Sequence, residues 1–185
     1  SKNAAALAEL ETFGTQVAAM QCDVSDSEQV ETCFDSVLAD FGRVDGCFAN
    51  AGIPGGGPHF DELPEEDWRR MMSVNLDGVY YTFKTAASHM RKRAEAGDPG
   101  GRLVGTTSLS AWSGAPRSVH YASTKGAMNS MVRSLAVGYA RWSITAHPGP
   151  AFNMLLKTFH EADNVIRAKR REGISLVIHG RNGKT

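Results

Sequence analysis

The order of apolar and polar stretches along the chain predicts alternating helices and strands. AAALAELETFG and SDSEQVETCFDSVLADFG have helical composition and spacing. In the second segment Ser25 or Asp26 is expected to cap the helix. VAAMQCDV, RVDGCFAN and RLVGTTS are predicted to be buried strands, because they lack the period-two alternation of a half-exposed strand. The expected apolar stripe of the second helix comprises Val30, Cys33, Phe34, Val37 and Leu38.

The later part of the chain continues this alternation. A long helical region is predicted from about Pro64 to Ala96, and another helix from about Ser118 to Arg141. Beyond SITAHPGP the pattern weakens, with a charged helix expected near 158–172 and a last strand in ISLVIHG. Apolar strands that alternate with helices are typical of an α/β fold, a parallel sheet with helices on both faces. No linker or repeat divides the sequence, so residues 1–185 are expected to form a single domain.

Composition limits the classes of function. The 185 residues contain 20 Lys and Arg and 20 Asp and Glu, so no basic surface is expected to attract nucleic acid. Charged residues interrupt every apolar run, and no membrane-spanning segment or membrane partner is predicted. Cys22, Cys33 and Cys47 lack metal-ligand spacing, as do the histidines, so no metal site is expected. The cysteines are interpreted as reduced packing residues of a cytoplasmic protein.

Polar or small residues follow each of the first three predicted strands. Asp23 comes after the first strand, Asn50 with the next two residues after the second, and Ser108 after the third. In parallel sheets ligands bind at the carboxyl ends of the strands. These residues are therefore expected to line one crevice. Taken alone, Asp23 is better explained as a helix-start or turn residue, and Asn-Ala-Gly is equally well explained as a tight turn.

Tyr121 precedes Lys125 by four residues on a predicted helix. That spacing places both side chains on one helical face. A free phenol titrates near pH 10 and is a poor proton shuttle at neutral pH. An adjacent ammonium favours the phenolate, so the pair is suited to proton transfer. A solvated surface pair is the alternative interpretation.

Six short motifs occur together in the sequence, and they carry a family resemblance. They are CDVSD at 22–26, ANAG at 49–52, VNLDG at 74–78, TTS at 106–108, YASTK at 121–125 and PG at 148–149. In this order and spacing they resemble the short-chain dehydrogenases/reductases of the common NAD(P)-dependent type. The resemblance covers residues 1 to about 150, and 151–185 is a divergent C-terminal segment. It implies a Rossmann-like doubly wound parallel sheet.

The resemblance also implies an activity, the interconversion of a secondary alcohol and a ketone with NAD or NADP. Tyr121 would be the general acid and base, and Ser108 would hold the substrate oxygen against it. Lys125 would promote the phenolate and bind the nicotinamide ribose, and Asn75 would order a water that connects Lys125 to solvent. The substrate would be a small-molecule alcohol or ketone.

The implied cofactor contacts lie mainly at strand ends. Asp23 would take the adenine amino group, small residues after the second strand would let the cofactor approach the backbone, and Pro148 would border the nicotinamide. The implied cofactor-binding residues are Asp23, Val24, Asn50, Ala51, Gly52, Tyr121, Lys125, Pro148 and Gly149.

Two further expectations concern the ends of the chain and its assembly. The family's glycine-rich turn TGxxxGxG has no match, so the fold is expected to be incomplete at the N-terminus. A catalytically silent truncated relative, acting as a fragment or an assembly subunit, is therefore the alternative function. The resemblance implies a homodimer or homotetramer built on the helices of Asn75 and Tyr121. The residues expected to border the substrate are Ile53, Pro54, Ser110 and Trp112.

Overall fold

The computed structural model describes residues 16–149 continuously, residues 8, 10–12 and 14, and the backbone of 175–178. Its helices are α1 (Ser27–Phe41), α2 (Glu65–Met72), α3 (Gly78–Glu95), α4 (Ser110–Ser113) and α5 (Val119–Tyr139). Its strands are β1 (Gly46–Ala49), β2 (Gly101–Thr106), β3 (Ile144–Gly149) and β4 (Ser175–Ile178). A π-helical turn, Ser73–Asp77, joins α2 to α3, and short 3₁₀ turns occupy Phe60–Glu62 and Ala140–Trp142.

The four strands form one parallel sheet in the order β3-β2-β1-β4. Ala49 pairs with Gly105, and Thr106 pairs with Gly149. The carboxyl ends of β1, β2 and β3 therefore lie level at one edge of the sheet. The predicted parallel α/β sheet is confirmed, and the backbone of β4 confirms the strand expected in ISLVIHG.

Helices α3 and α5 pack on the same face of this sheet. A Cβ atom added to Gly105 of β2 would lie 3.2 Å from Phe83 of α3 and 3.0 Å from Met128 of α5. The glycine thus lets both helices approach the strand, and the core forms between the helices and the sheet. Its largest fully buried side chains include Phe34, Phe83, Met90, Leu103, Met128 and Ile144.

Helix α1 begins and ends as its sequence predicts. The Asp26 carboxylate accepts hydrogen bonds from the N–H groups of Glu28 and Gln29, which the first turn of a helix otherwise leaves unpaired. Gly42 ends the helix in the left-handed conformation, with φ of 77°. The predicted apolar stripe is buried in the core except for Leu38, which is partly buried.

The prediction of a strand in VAAMQCDV is wrong. Residues 17–24 form no strand, because none of the described strands lies beside them to complete a hydrogen-bonded ladder. The predicted burial holds in part, since Cys22 and Val24 belong to the core. Most of the helix predicted in AAALAELETFG, and all of the one near 158–172, lie outside the described residues.

The long helical region predicted from about Pro64 to Ala96 is confirmed, although it is not a single regular α-helix. The helix is divided by the π-helical turn Ser73–Asp77, in which the Gly78 N–H bonds to the Ser73 carbonyl five residues back. Single π turns within helices are frequent at functional sites. This turn carries Asn75, whose side chain is completely buried.

Two predictions from composition can be compared with the described residues. Cys22, Cys33 and Cys47 are free and buried, as expected. Burial raises the pKa of the Cys47 thiol to about 12, which keeps it protonated and unreactive near neutral pH. None of the described helices is long and apolar enough to cross a membrane.

Candidate active site

Ser108 lies just beyond the carboxyl end of β2, where the ends of β2 and β3 are tied together. The Thr107 N–H and the Thr107 hydroxyl both donate to the Gly149 carbonyl, at 3.0 and 2.9 Å. This link fixes the backbone immediately before Ser108. It also brings Pro148 and Gly149 beside the β2 end, as expected from the strand order.

Lys125 connects helix α5 to the same strand. Its side chain is only 3% exposed, and Nζ donates to the Thr106 carbonyl at 2.7 Å. The Thr106 hydroxyl in turn donates to Oδ1 of Asn50, at 2.8 Å. Three elements thus meet around Thr106: α5, β2 and the loop that follows β1.

The Lys125 ammonium carries an electrostatic cost. Among the residues that the structure describes, no carboxylate forms an ion pair with it. Burial lowers the pKa of this lysine from 10.5 to about 8. An ammonium has three donors, and Thr106 takes one, so the group can still bind a hydroxyl or an anion.

Tyr121 lies one turn before Lys125, and its ring faces the ammonium. Nζ is 5.6 Å from the ring centre, within the range of a cation–π interaction. No hydrogen bond joins the Tyr121 hydroxyl to any of the described residues. The phenol is therefore available to a ligand while the ammonium stabilises negative charge beside it.

A second Tyr-Lys pair shows what the four-residue spacing alone does. Tyr80 and Lys84 on α3 have the same spacing, and Lys84 Nζ is 5.9 Å from the Tyr80 ring centre. Tyr80 is 47% exposed and Lys84 is exposed too. The helix thus brings each tyrosine to its lysine, and Lys125 differs from Lys84 in being buried and in its hydrogen bond to the Thr106 carbonyl. The exposed pair provides matched control variants.

The Asn75 amide holds the loop that follows β1. Oδ1 accepts a hydrogen bond from the Ile53 N–H at 2.7 Å, and Nδ2 donates to the Ile53 carbonyl at 2.9 Å and to Met71 Sδ at 3.0 Å. A Cβ at Gly52 would lie only 3.2 Å from that Oδ1. Sequence reasoning missed this anchoring role, and the water-ordering role of Asn75 stays a prediction.

Three residues predicted to bind a cofactor share a shallow pocket. The pocket is narrow and partly open to solvent. A Cβ at Gly78 would come within 2.8 Å of Val24 Cγ2, so this glycine allows the segment before α1 to approach α3. The residues that line the pocket are Val24, Ala49, Asn50, Ala51, Gly78, Val79 and Thr82.

Asp23 lies next to this pocket in sequence but acts locally in the structure. Its Oδ1 accepts hydrogen bonds from the Ser25 N–H at 3.0 Å and from the Ser25 hydroxyl at 2.6 Å. This is a side-chain turn, the simpler of the two interpretations open from sequence. The second carboxylate oxygen makes no hydrogen bond to the described residues.

Gly55 is a site residue that sequence reasoning did not single out. A Cβ there would lie 2.8 Å from both Ser118 Oγ and Tyr121 Cβ. The loop GIPGGGPHF therefore packs directly on the start of α5 beside Tyr121. The three consecutive glycines were the only signal in the sequence, and they do not reveal what the loop contacts.

Replacing Gly55 with alanine is expected to lower the free energy of unfolding by roughly 1–3 kcal/mol, because the added methyl group must displace the loop or α5. Thermal or urea unfolding measures the change. Gly138→Ala on α5 is the matched control, since its Cβ would meet nothing within 4 Å; it should stabilise by roughly 0.5–1 kcal/mol. Wild-type stability in Gly55→Ala would contradict the close packing.

The fold and the site together define a Rossmann-like α/β protein. Residues 1–150 match the family model for short chain dehydrogenases. The chain belongs to the short-chain dehydrogenase/reductase family.

Individual relatives agree with this assignment. A probable NADP-dependent mannitol dehydrogenase of Yarrowia lipolytica is 35% identical over 144 residues, which is 75% of this chain and 50% of the relative. The chain spans about half the length of the curated relatives it matches.

Solved structures give the same result. Levodione reductase has a TM-score of 0.72 and 31% identity, over 79% of this chain and 55% of the reductase. A gluconate 5-dehydrogenase from Burkholderia cenocepacia, solved with NADP and tartrate, has a TM-score of 0.63 and 30% identity, over 69% of this chain and 48% of the dehydrogenase. A related 3-ketoacyl-(acyl-carrier-protein) reductase from Brucella melitensis was solved with NADH.

Proposed function

We propose that this protein is an NAD(P)-dependent oxidoreductase that interconverts a secondary alcohol and a ketone. The observation that carries the proposal is a buried ammonium without a carboxylate partner among the described residues, Lys125, facing the ring of Tyr121. A buried charge of this kind is costly, and such groups cluster at functional sites. Ser108 follows the strand that Lys125 contacts through Thr106.

Each residue has a distinct role in this proposal. In ketone reduction the Tyr121 hydroxyl donates its proton to the carbonyl oxygen of the substrate, and in alcohol oxidation the phenolate accepts the alcohol proton. Ser108 hydrogen-bonds the substrate oxygen and orients it toward Tyr121. Lys125 stabilises the phenolate, and Asn75 orders a water that returns a proton from solvent to Lys125.

NAD or NADP fits the polar and small residues present. Val24 would lie beside its adenine ring and Asp23 at the adenine amino group, with Asn50 and Ala51 at its ribose and phosphate. Lys125 has donors left for ribose hydroxyls, and Gly52, Pro148 and Gly149 present close backbone at the strand ends. When bound, the nicotinamide supplies or accepts the hydride. The related structures with NADH or NADP support this assignment.

Turnover of a simple ketone tests the proposal. Cyclohexanone is added to the protein with NADH or NADPH, and the loss of the reduced nicotinamide absorbance is followed. Turnover by the wild type that disappears in Tyr121→Phe supports the oxidoreductase proposal. If the wild type binds the cofactor without turnover, or shows neither binding nor turnover, the result would instead support the catalytically silent relative.

The same proposal includes a homodimer or homotetramer. Helices α3 and α5 carry large exposed apolar side chains, Tyr80 at 47% and Val137 at 82% exposure. Sedimentation equilibrium measures the assembly, and the mass of a single chain at micromolar concentration would contradict it. A cytoplasmic location is consistent with the three free cysteines, and cell fractionation checks it.

A further inference from the structure

We propose that Ser110 is a positioning residue that sets the direction of the hydrogen bond made by Ser108. The inference rests on the proposed function, because it assumes that Ser108 holds the substrate oxygen. It assigns Ser110 a role in catalysis that acts through Ser108 rather than through the substrate.

The geometry places two groups of Ser110 on one oxygen. Ser110 Oγ is 2.7 Å from Ser108 Oγ, and the Ser110 N–H donates to Ser108 Oγ at 3.3 Å. Both side chains are half-buried at the point where α4 begins. Among the described residues, Ser108 Oγ has no other hydrogen-bond partner.

A hydroxyl has one hydrogen to donate and two lone pairs. The Ser110 N–H occupies one lone pair of Ser108 Oγ. When the Ser110 hydroxyl donates to the other, the Ser108 hydrogen is left for the substrate, as a ketone oxygen requires. In alcohol oxidation the only hydroxyl hydrogen of the alcohol goes to the Tyr121 phenolate, so the substrate oxygen again needs the Ser108 hydrogen as its donor. A Ser110 hydroxyl that donates to Ser108 Oγ thus favours the one orientation of the Ser108 hydrogen that both reaction directions require.

Ser113 supplies a matched control on the same short helix. Its hydroxyl oxygen lies 3.1 Å from the Leu109 carbonyl oxygen and 3.2 Å from that of Gly114, and its one hydrogen can be donated to either. It therefore supports the backbone of α4 without contacting Ser108. A purely structural role for hydroxyl groups in this helix would affect Ser113→Ala and Ser110→Ala alike.

The experiment measures kcat and KM for cyclohexanone with NADPH or NADH in the full chain. Ser110→Ala is expected to lower kcat about three- to tenfold, the value of one hydrogen bond, with little change in KM or in the cofactor dissociation constant. Ser110→Thr, which keeps the hydroxyl, should restore kcat toward the wild-type value. Ser113→Ala should match wild type.

A double mutant isolates the path of the effect. In a Ser108→Ala background, Ser110→Ala should cause no further loss, because Ser110 acts only through Ser108. The role of Ser110 would be overturned by a wild-type kcat in Ser110→Ala. It would also be overturned if Ser110→Ala lowered kcat equally in the wild type and in the Ser108→Ala variant. Either result would leave the proposed function intact. An inactive wild type, or an active Tyr121→Phe, would refute the proposed function and with it this inference.

Discussion

Replacement of Tyr121 with phenylalanine is expected to reduce ketone turnover about a thousandfold, the range for loss of a positioned general acid. The fold should survive, because the phenol oxygen has no hydrogen-bond partner among the described residues and its removal leaves no buried polar group unpaired. The remaining ring can still face Lys125 and pack beside Gly55. Melting temperature and cofactor affinity should therefore stay near the wild-type values, which scanning fluorimetry and NADPH or NADH fluorescence titration measure.

The exposed pair on α3 provides the control for this substitution. Tyr80→Phe makes the same chemical change one turn before Lys84, in the same helical geometry. It should leave turnover unchanged, since both residues are exposed and neither lines the pocket that contains Asn50 and Ala51. If Tyr121→Phe retained a tenth or more of wild-type turnover, the assignment of Tyr121 as the proton donor would be wrong. A parallel loss in Tyr80→Phe would point to general damage rather than to chemistry.

The features predicted correctly from sequence are those that local interactions determine. Asp26 caps α1 because its carboxylate reaches N–H groups only two and three residues away. The apolar runs of β1 and β2 form neighbouring parallel strands, and alternate residues of each strand are buried. The motif residues at the strand ends then meet at one edge, which is a consequence of the topology.

The features that sequence reasoning missed depend on distant partners. VAAMQCDV has strand composition, yet among the described residues no neighbouring strand completes its ladder. Asn75 bonds Ile53 across 22 residues, and Lys125 reaches the Thr106 carbonyl across 19. Local spacing contains no information on such contacts. It also cannot separate the pair Tyr121 and Lys125 from the pair Tyr80 and Lys84, which differ in burial and in their contacts with distant residues.

Lys125→Met is expected to change stability and turnover in opposite directions. The folded protein holds this ammonium with a pKa of about 8 instead of 10.5, because burial disfavours the charge. A difference of that size corresponds to roughly 3 kcal/mol of destabilisation below pH 8, where lysine is charged in both the folded and the unfolded state. Methionine has a similar length and no charge. After allowing for the lost bond to Thr106, it should raise the free energy of unfolding at pH 7 by roughly 1–2 kcal/mol.

The pH dependence of that gain follows from the direction of the pKa shift. Between pH 8 and 10.5 the unfolded chain binds more protons at this position than the folded one, so wild-type stability rises with pH. The advantage of Lys125→Met should therefore shrink over this window and be largely gone near its upper limit. Urea unfolding at pH 7, 8.5 and 10 measures it. Lys84→Met, at an exposed lysine, should show no such trend.

Turnover gives the other half of the Lys125→Met prediction. Without the ammonium, Tyr121 loses the charge that stabilises its phenolate, and ketone turnover should fall by about a hundredfold or more. A substitution that stabilises the fold while removing activity is expected wherever a buried charge is retained for function. If Lys125→Met instead lowered stability equally at every pH, the ammonium would be a net structural support. Its burial beside Tyr121 would then no longer argue for catalysis, and the proposed function would lose the observation that carries it.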